Sequence, residues 1–500
     1  MLALLAYVHF LLYLCSDFIG KSGQNGVFLR GKRGQNNVFL HGKSGQNICN
    51  SMINRKLDNI IANHYAQQST ALLLSGARQV GKSYAIRKYG QQNYTCFVEV
   101  NFIQQPEAIQ LFRNAKSVAD FLLRLSTFVQ QPLVKGETLI FFDEVQVCPD
   151  ILTWVKFLVE SGEYRYALSG SLLGLQLKDI RSIPVGYLSE VEVFPLDFEE
   201  FVRAVGVGDA TIDALRNAWE NHDEVDAMIH NKMLQLFDLY LIVGGMPAAV
   251  QTYLDSNDMQ QVIQVQQDII RMYRKDIAQY DVAHKLYIQN IFDLIPSELN
   301  AQNKRFILKK VDRNIKFSRS ENDFVWLSDA GVALPTFNVE APCMPLLLNK
   351  QRNLFKLFQN DVGLLACQYA SGIQMKILNG ETDINFGAIY ENLVAQELKA
   401  HGYDLYYYNS KKYGELDFLI EENGEIWAIE VKSGKSYRNH NSLSKCMFCD
   451  EFHVKRSIVL CNDNVHVEDD IMYMPIYMIM FLQRHRRMEQ MIYKVDIRGL

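Results

Sequence analysis

The sequence has no apolar run of the roughly 18 residues that a membrane-spanning helix requires, which excludes a spanning helix on composition and implies a soluble, cytoplasmic chain with no membrane partner. It lacks an excess of positive charge. Against 51 Lys and Arg stand 56 Asp and Glu, a formal net charge of -5, so a general polyanion binder is excluded and any DNA contact must be local. It also lacks a disulfide framework: its nine cysteines are odd in number and scattered, as in a reducing compartment. Cys446-x-x-Cys449 is the one close pair, and no second pair completes a tetrahedral zinc site.

At 500 residues the chain is too long for one ordinary core, and 48% hydrophobic with 21% charged residues is globular composition. The opening MLALLAYVHFLLYLC imitates the apolar part of a secretion signal but lacks a basic segment before it and a small-residue cleavage site after it. The stretch that follows repeats a Gly-Lys-rich unit from Gly20, Gly31 and Gly42, with little apolar material to bury. We expect residues 1–51 to be a disordered repetitive leader and Met52 to be the better start.

Apolar Ala71 to Leu74 reads as a buried strand that runs into GARQVGKS, Gly76 to Ser83, and then into a helical pattern that stops near Gly90. This is the G-x-x-x-x-G-K-S phosphate loop in its proper setting. Gly76, Ala77, Arg78, Gln79, Val80 and Gly81 would wrap phosphate oxygens of ATP with backbone N–H groups, Lys82 would reach the β and γ phosphates, and Ser83 would be a Mg²⁺ ligand. LIFFDEVQ, Leu139 to Gln146, is the matching strand: it delivers Asp143 as the second Mg²⁺ residue and Glu144 to orient the attacking water. A third strand, YALSGS, ends in Ser171, a candidate γ-phosphate sensor.

Together with PLDFEEF, YLIVGGMPAAV, WLSDAGVAL, DVGLL and the stretch around EVKSGK, these pieces resemble the bacterial and archaeal AAA-type ATPases that carry a C-terminal domain of unknown function. The likeness spans about Met52 to Leu482. It implies an α/β multidomain fold: a P-loop AAA-like ATPase at 52–205, a helical segment at 206–285, a winged-helix-like region at 286–370, a restriction-endonuclease-like domain at 371–482 and a tail at 483–500. Relatives place an arginine after the glycine that follows the sensor strand, where this chain has Gly186-Tyr187. That leaves an arginine finger unassigned, with Arg181 the available candidate, and leaves the oligomeric state open.

Between these ends, Asp209 to Tyr280 has helical spacing broken at Gly244-Gly245 and Pro247. Ile291 to Asn314 reads as two short helices about a turn, and WLSDAGVAL as a strand with a turn behind it. Lys304, Arg305, Lys309, Lys310 and Arg313 form a basic stripe that faces either a DNA groove or plain solvent.

Gly387 to Asp404 is an amphipathic helical pattern, followed by strand patterns LYYYN, ELDFLIE and EIWAIEVK. Asn423-Gly424 signals a two-residue hairpin, which places 422 opposite 425 and Asp417 opposite Glu430. With a strand period of two, Asp417, Glu430 and Lys432 share a face, and the opposed carboxylates call for a compensating cation such as a second Mg²⁺ or Mn²⁺. Glu391 could complete the metal shell and Lys432 could activate water. The set resembles the helix, acid, acid-x-Lys pattern of restriction-endonuclease-like nucleases; equally, Lys432 alone could neutralise the acids in an inactive domain kept for a protein partner. Three readings stay open: an ATP-hydrolysing regulatory or remodelling protein, an ATP-controlled metal-dependent DNA nuclease, and a nucleotide-gated scaffold.

Overall fold

The computed structural model describes residues 26–30, 37–41, 53–171, 186–280, 285–301, 304–306, 326–369, 372–378, 386–434, 437–438 and 440–484. Arg181, Lys309, Lys310 and Arg313 lie outside these residues, as does most of the tail. The leader and the chain from Ile53 onward form separate compact units. In the leader, β1 (Gly26–Arg30) and β2 (Asn37–His41) pair antiparallel. The reason is local: the first two repeats carry a Val-Phe-Leu run that suits a strand, although a lone two-stranded ribbon is marginal in water.

Five parallel strands build the first sheet: β3 (Ala71–Ser75), β4 (Cys96–Asn101), β5 (Thr138–Asp143), β6 (Arg165–Ser169) and β7 (Leu188–Glu192), in the order β4-β5-β6-β3-β7. Both faces are covered, which is why β3 and β5 read as unbroken apolar runs. Leu72, Leu74, Leu139 and Phe141 point to one core, and Ala71, Leu73, Ile140 and Phe142 to the other, beneath helices Val118–Val129 and Asp150–Ser161. The first of these cores runs on without a break into the helices of the middle segment and the C-terminal part.

Helix Ala227–Val243 and helix Pro247–Ser256 meet at 119°. Gly244 and Gly245 make the corner because nothing else fits: a Cβ on Gly245 would lie 2.0 Å from the Leu196 carbonyl, and one on Gly244 2.3 Å from Asp361 Oδ1. Asp361 clamps that corner, accepting the Gly245 N–H at 2.6 Å while capping helix Val362–Gln368 through the Leu364 N–H at 2.9 Å. The long helix Met259–Tyr280 follows. Among the described residues no single helix is long and apolar enough to cross a membrane, and the bent pair alone passes that test by length and composition.

The second sheet has eight strands: β8 (Ala333–Val339), β9 (Lys350–Gln359), β10 (Tyr406–Ser410), β11 (Gly414–Glu422), β12 (Glu425–Val431), β13 (Val454–Cys461), β14 (His466–Glu468) and β15 (Ile471–Pro475), in the order β14-β15-β13-β12-β11-β10-β8-β9. Two of these strands come from the region expected to be winged-helix-like at 286–370. Its strands β8 and β9 are not a free wing; β8 pairs parallel with β10 and extends the C-terminal sheet. Residues 326–329 of WLSDAGVAL are helical, and the strand starts only at Ala333. Helix Lys285–Leu299 runs through Pro296 as one element, and the expected second helix falls outside the described residues.

The β11–β12 hairpin has the anticipated register, with Glu422 opposite Glu425 and Phe418 opposite Ile429. Asn423 and Gly424 both have positive φ, 51° and 79°, as the two-residue turn demands. Helix Phe386–Ala400 is not amphipathic as expected but buried on every side from Ala388 to Leu398. It is the spine of the C-terminal part, and its polar residues are therefore tied into internal networks.

Candidate functional site

The loop after β3 is shaped by its contacts with β7's continuation. Gly76 has φ +126°, and a Cβ there would lie 2.3 Å from the Val193 carbonyl oxygen, so only glycine can begin this turn. Gly81 is the residue before helix Lys82–Asn93, whose N-terminal N–H groups face the loop. Lys82 is folded back on the loop, its Nζ donating to the carbonyls of Gly76 at 2.9 Å and Ala77 at 2.6 Å. Burial pushes its pKa down to about 8, although Glu144 and Asp143 pull the other way and Arg78 adds to the depression.

Asp143, at the end of β5, is heavily hydrogen-bonded. Its Oδ1 accepts from Ser83 Oγ at 2.9 Å, from the Glu144 N–H at 3.1 Å and from Ser169 Oγ; its Oδ2 accepts from Asn101 Nδ2 at 3.0 Å and lies 3.5 Å from Arg87 Nη2. The Ser83–Asp143 pair is an all-oxygen donor set of the kind a hard divalent cation prefers, and Mg²⁺ fits it. Glu144 adopts a left-handed backbone, φ 58° and ψ 46°, a conformation that costs free energy for a residue of its kind and recurs at reacting centres. Its carboxylate accepts from Gln146 Nε2, which also lies 3.3 Å from Ser171 Oγ. Ser171 Oγ in turn accepts from Arg78 Nε at 3.4 Å.

The structure therefore brings Gly76 to Ser83, Asp143, Glu144 and Ser171 together at the carboxyl ends of β3, β5 and β6. Sequence reasoning missed Asn101, Ser169, Gln146 and Arg55, whose Nη1 reaches the Val80 carbonyl at 3.2 Å. Asn101 and Ser169 end their strands beside Asp143, so the only signal was a polar residue closing an apolar run. Arg55 carried no signal at all.

The C-terminal acids also converge, but around lysines. Asp417 Oδ2 accepts the Val431 N–H at 2.9 Å, and Lys432 Nζ lies 2.9 Å from Glu430 Oε2. Burial, with Asp417 next, holds the Glu430 carboxyl well above the usual carboxylate range. Lys356, on β9 and 1% exposed, sits 2.6 Å from Glu415 Oε1 and 3.5 Å from Glu391 Oε2, and Lys304 pairs with Glu391 as well. Buried though it is, the Lys356 ammonium is pulled above its ordinary range by Glu391, Glu415 and Asp417. Four carboxylates (Glu391, Glu415, Asp417, Glu430) thus meet three ammonium groups (Lys304, Lys356, Lys432). Lys432 and Lys356 thus bring positive charge of their own to Glu430 and Asp417. The described residues contain no group of three or more Asp, Glu, His or Cys placed to hold a metal ion. Lys304 is turned into this cluster, so neither the groove-facing nor the solvated reading of the basic stripe describes it.

Residues 68–202 match the family described as an AAA domain. The chain carries an AAA-type P-loop ATPase domain followed by two domains of unknown function. These further matches are "Domain of unknown function (DUF8612)" at 234–376 and "Domain of unknown function (DUF4143)" at 386–479. The chain is similar to a Walker-type ATPase of Pyrococcus abyssi at 15% identity, covering 64% of this chain and 97% of that one with a TM-score of 0.40. It is also similar to AMPPCP-bound DnaA from Aquifex aeolicus (10% identity, 54% and 86% covered, TM-score 0.26) and to Cdc6p from Pyrobaculum aerophilum (12%, 65% and 92%, 0.24). Likenesses this distant carry no argument about activity. No curated protein matches the chain by sequence.

Proposed function

We propose that the protein binds and hydrolyses ATP in the cytoplasm and uses the cycle to alter contacts between its AAA domain and the two segments that follow, as a regulatory or remodelling ATPase. One observation carries this reading: Ser83 Oγ lies 2.9 Å from Asp143 at the foot of the phosphate loop, with Lys82 and Glu144 on either side. The loop N–H groups would bind the phosphates, and Lys82 would exchange its two carbonyl partners for phosphate oxygens. Bound through Ser83 and Asp143, Mg²⁺ would neutralise charge on the β and γ phosphates. Glu144 would orient a water and take its proton, and the Gln146 and Ser171 side chains would hold Glu144 and sense the γ-phosphate.

The test is ATP binding and turnover by the full chain. Lys82→Ala should abolish binding while the fold persists, and Glu144→Gln should bind ATP but lose turnover by roughly 100-fold or more. Normal ATP binding by Lys82→Ala would refute the assignment.

A second reading, an ATP-controlled DNA nuclease with a restriction-endonuclease-like C-terminal domain, draws support from the hairpin that puts Asp417, Glu430 and Lys432 together. The lysine-neutralised cluster favours the alternative, a charge-balanced core in a domain that contacts a protein partner. Supercoiled plasmid incubated with Mg²⁺ or Mn²⁺ decides: cleavage that disappears in Lys432→Ala would reinstate the nuclease, and intact plasmid is expected.

A further inference from the structure

Three consecutive loop residues are touched by the segment at 234–376. Ala77 packs against the turn at Gly331, where a Cβ would come within 2.9 Å of the Ala77 nitrogen. Arg78 offers its carbonyl to Tyr273 Oη at 3.2 Å and its guanidinium Nη1 to Asp276 Oδ1 at 2.7 Å, and Gln79 Nε2 reaches Met272 Sδ at 3.6 Å. Met272, Tyr273 and Asp276 all belong to helix Met259–Tyr280. A phosphate loop gripped along its crest by one helix of a following domain is a junction between the two.

Arg78 stands at the centre of that grip. From Asp276 a hydrogen-bonded series runs through Arg78 to Ser171, then Gln146, then Glu144. Its charge is felt at Lys82, and that of Glu144 is felt at Asp276, whose carboxyl burial raises and Arg78 lowers. The side chain of Asp276 is 10% exposed and that of Arg78 33%, so the acid is well buried while the guanidinium stays partly open to solvent. Two cations, Lys82 and Arg78, and two carboxylates, Glu144 and Asp276, therefore border the space next to the loop on the Glu144 side.

Resting on the ATP reading above, we propose that Arg78 is the cation that contacts the γ-phosphate within this one chain, and that Asp276 holds it away until nucleotide competes for it. A phosphate group presents several charged oxygens to a guanidinium, where a carboxylate offers two, so the nucleotide is the stronger partner. In hydrolysis the water oxygen bonds to the γ-phosphorus, its proton passes to Glu144, and the bond to the β–γ bridging oxygen breaks as ADP leaves. Charge then builds on the phosphoryl oxygens, where a guanidinium stabilises it. Asp276, once released, frees its helix from the loop. The consequence reaches further along the chain because Tyr273 Oη also takes a hydrogen bond from Asn360 Nδ2 at 3.4 Å, and Asn360 separates β9, which carries Lys356, from the Asp361 clamp.

The experiment is steady-state ATP turnover, with binding of a fluorescent ATP analogue, on the full chain and on Arg78→Ala, Asp276→Asn, the double variant and Lys82→Ala. Arg78→Ala should lower kcat by roughly 100-fold and leave nucleotide affinity within a few-fold. Asp276→Asn should raise kcat several-fold, and the double variant should match Arg78→Ala alone, because Asp276 acts only through Arg78. Should Arg78→Ala fail to fold, Arg78→Lys, which keeps the charge but not the fork, should lower kcat by roughly tenfold. Parental kcat in the folded Arg78 variants would overturn the proposal, as would an effect of Asp276→Asn that persists without Arg78. Normal binding by Lys82→Ala would overturn the ATP assignment itself, which keeps the two failures distinct.

Discussion

The AAA site and the C-terminal acidic cluster are built from the same parts, strand-end carboxylates beside a lysine, yet they satisfy those carboxylates in opposite ways. Asp143 is held mainly by neutral donors, the hydroxyls of Ser83 and Ser169, the amide of Asn101 and a backbone N–H, and the nearby Lys82 bonds to carbonyls instead. The cluster around Glu391, Glu415, Asp417 and Glu430 is matched by the ammonium groups of Lys304, Lys356 and Lys432. The first keeps its charges unspent and can trade them for phosphate and metal. The second has already spent them on the fold. Spacing of acids and lysines is thus a poor guide to chemistry until each charge has been assigned its partner.

The sharpest way to break this contrast is to remove the two lysines in turn. Lys356→Met leaves buried carboxylates without their partner and should cost about 3–5 kcal/mol of stability, measured by denaturant unfolding. Lys82→Met, which removes a cation that burial already penalises, should unfold within about 1 kcal/mol of the parent. Equal losses would erase the distinction.

A smaller effect follows from the depressed Lys82. Bound phosphate keeps the lysine charged, whereas in the free protein it loses its proton above about 8. ATP affinity should therefore be level below pH 7 and fall by up to about tenfold per pH unit above 8. Isothermal titration across pH 7–9.5 checks this, and Lys82→Arg, whose guanidinium stays charged, should remove the slope.

The smallest effect is expected at Glu430. Its raised carboxyl means that the folded chain keeps a proton the unfolded chain has released, so stability falls as pH rises from the ordinary carboxylate range to the raised folded value. Glu430→Gln cannot ionise and should remove that part of the pH dependence, changing stability by less than about 1 kcal/mol at the acid end, where the carboxyl carries its proton. A loss as large as that of Lys356→Met would mean that the carboxylate is ionised after all.

What the sequence made legible was local. The phosphate loop follows from eight contiguous residues, and the β11–β12 register from Asn423-Gly424 and a period of two. What stayed hidden was carried by partners distant in the chain. Lys356 reaches Glu391 and Glu415 only because β9 and β10 flank β8 in one sheet. Asp276 reaches Arg78 across two domains, and no periodicity announces it. Helix Phe386–Ala400 misled because its polar residues look solvent-facing by spacing, yet Asn392, Gln396 and Glu397 are spent on internal bonds to Gln359, Val362 and Phe198.

The pairing of β8 with β10 bears on how such a gene can be cut and recombined. A fragment starting near Phe386 would leave the β10 side that β8 covers open to any passing strand, the usual beginning of edge-to-edge aggregation. One ending before β10 would strand β8 and β9 as a lone hairpin. The last two domains are thus inseparable cargo: they should travel through evolution, and through expression trials, only as a pair.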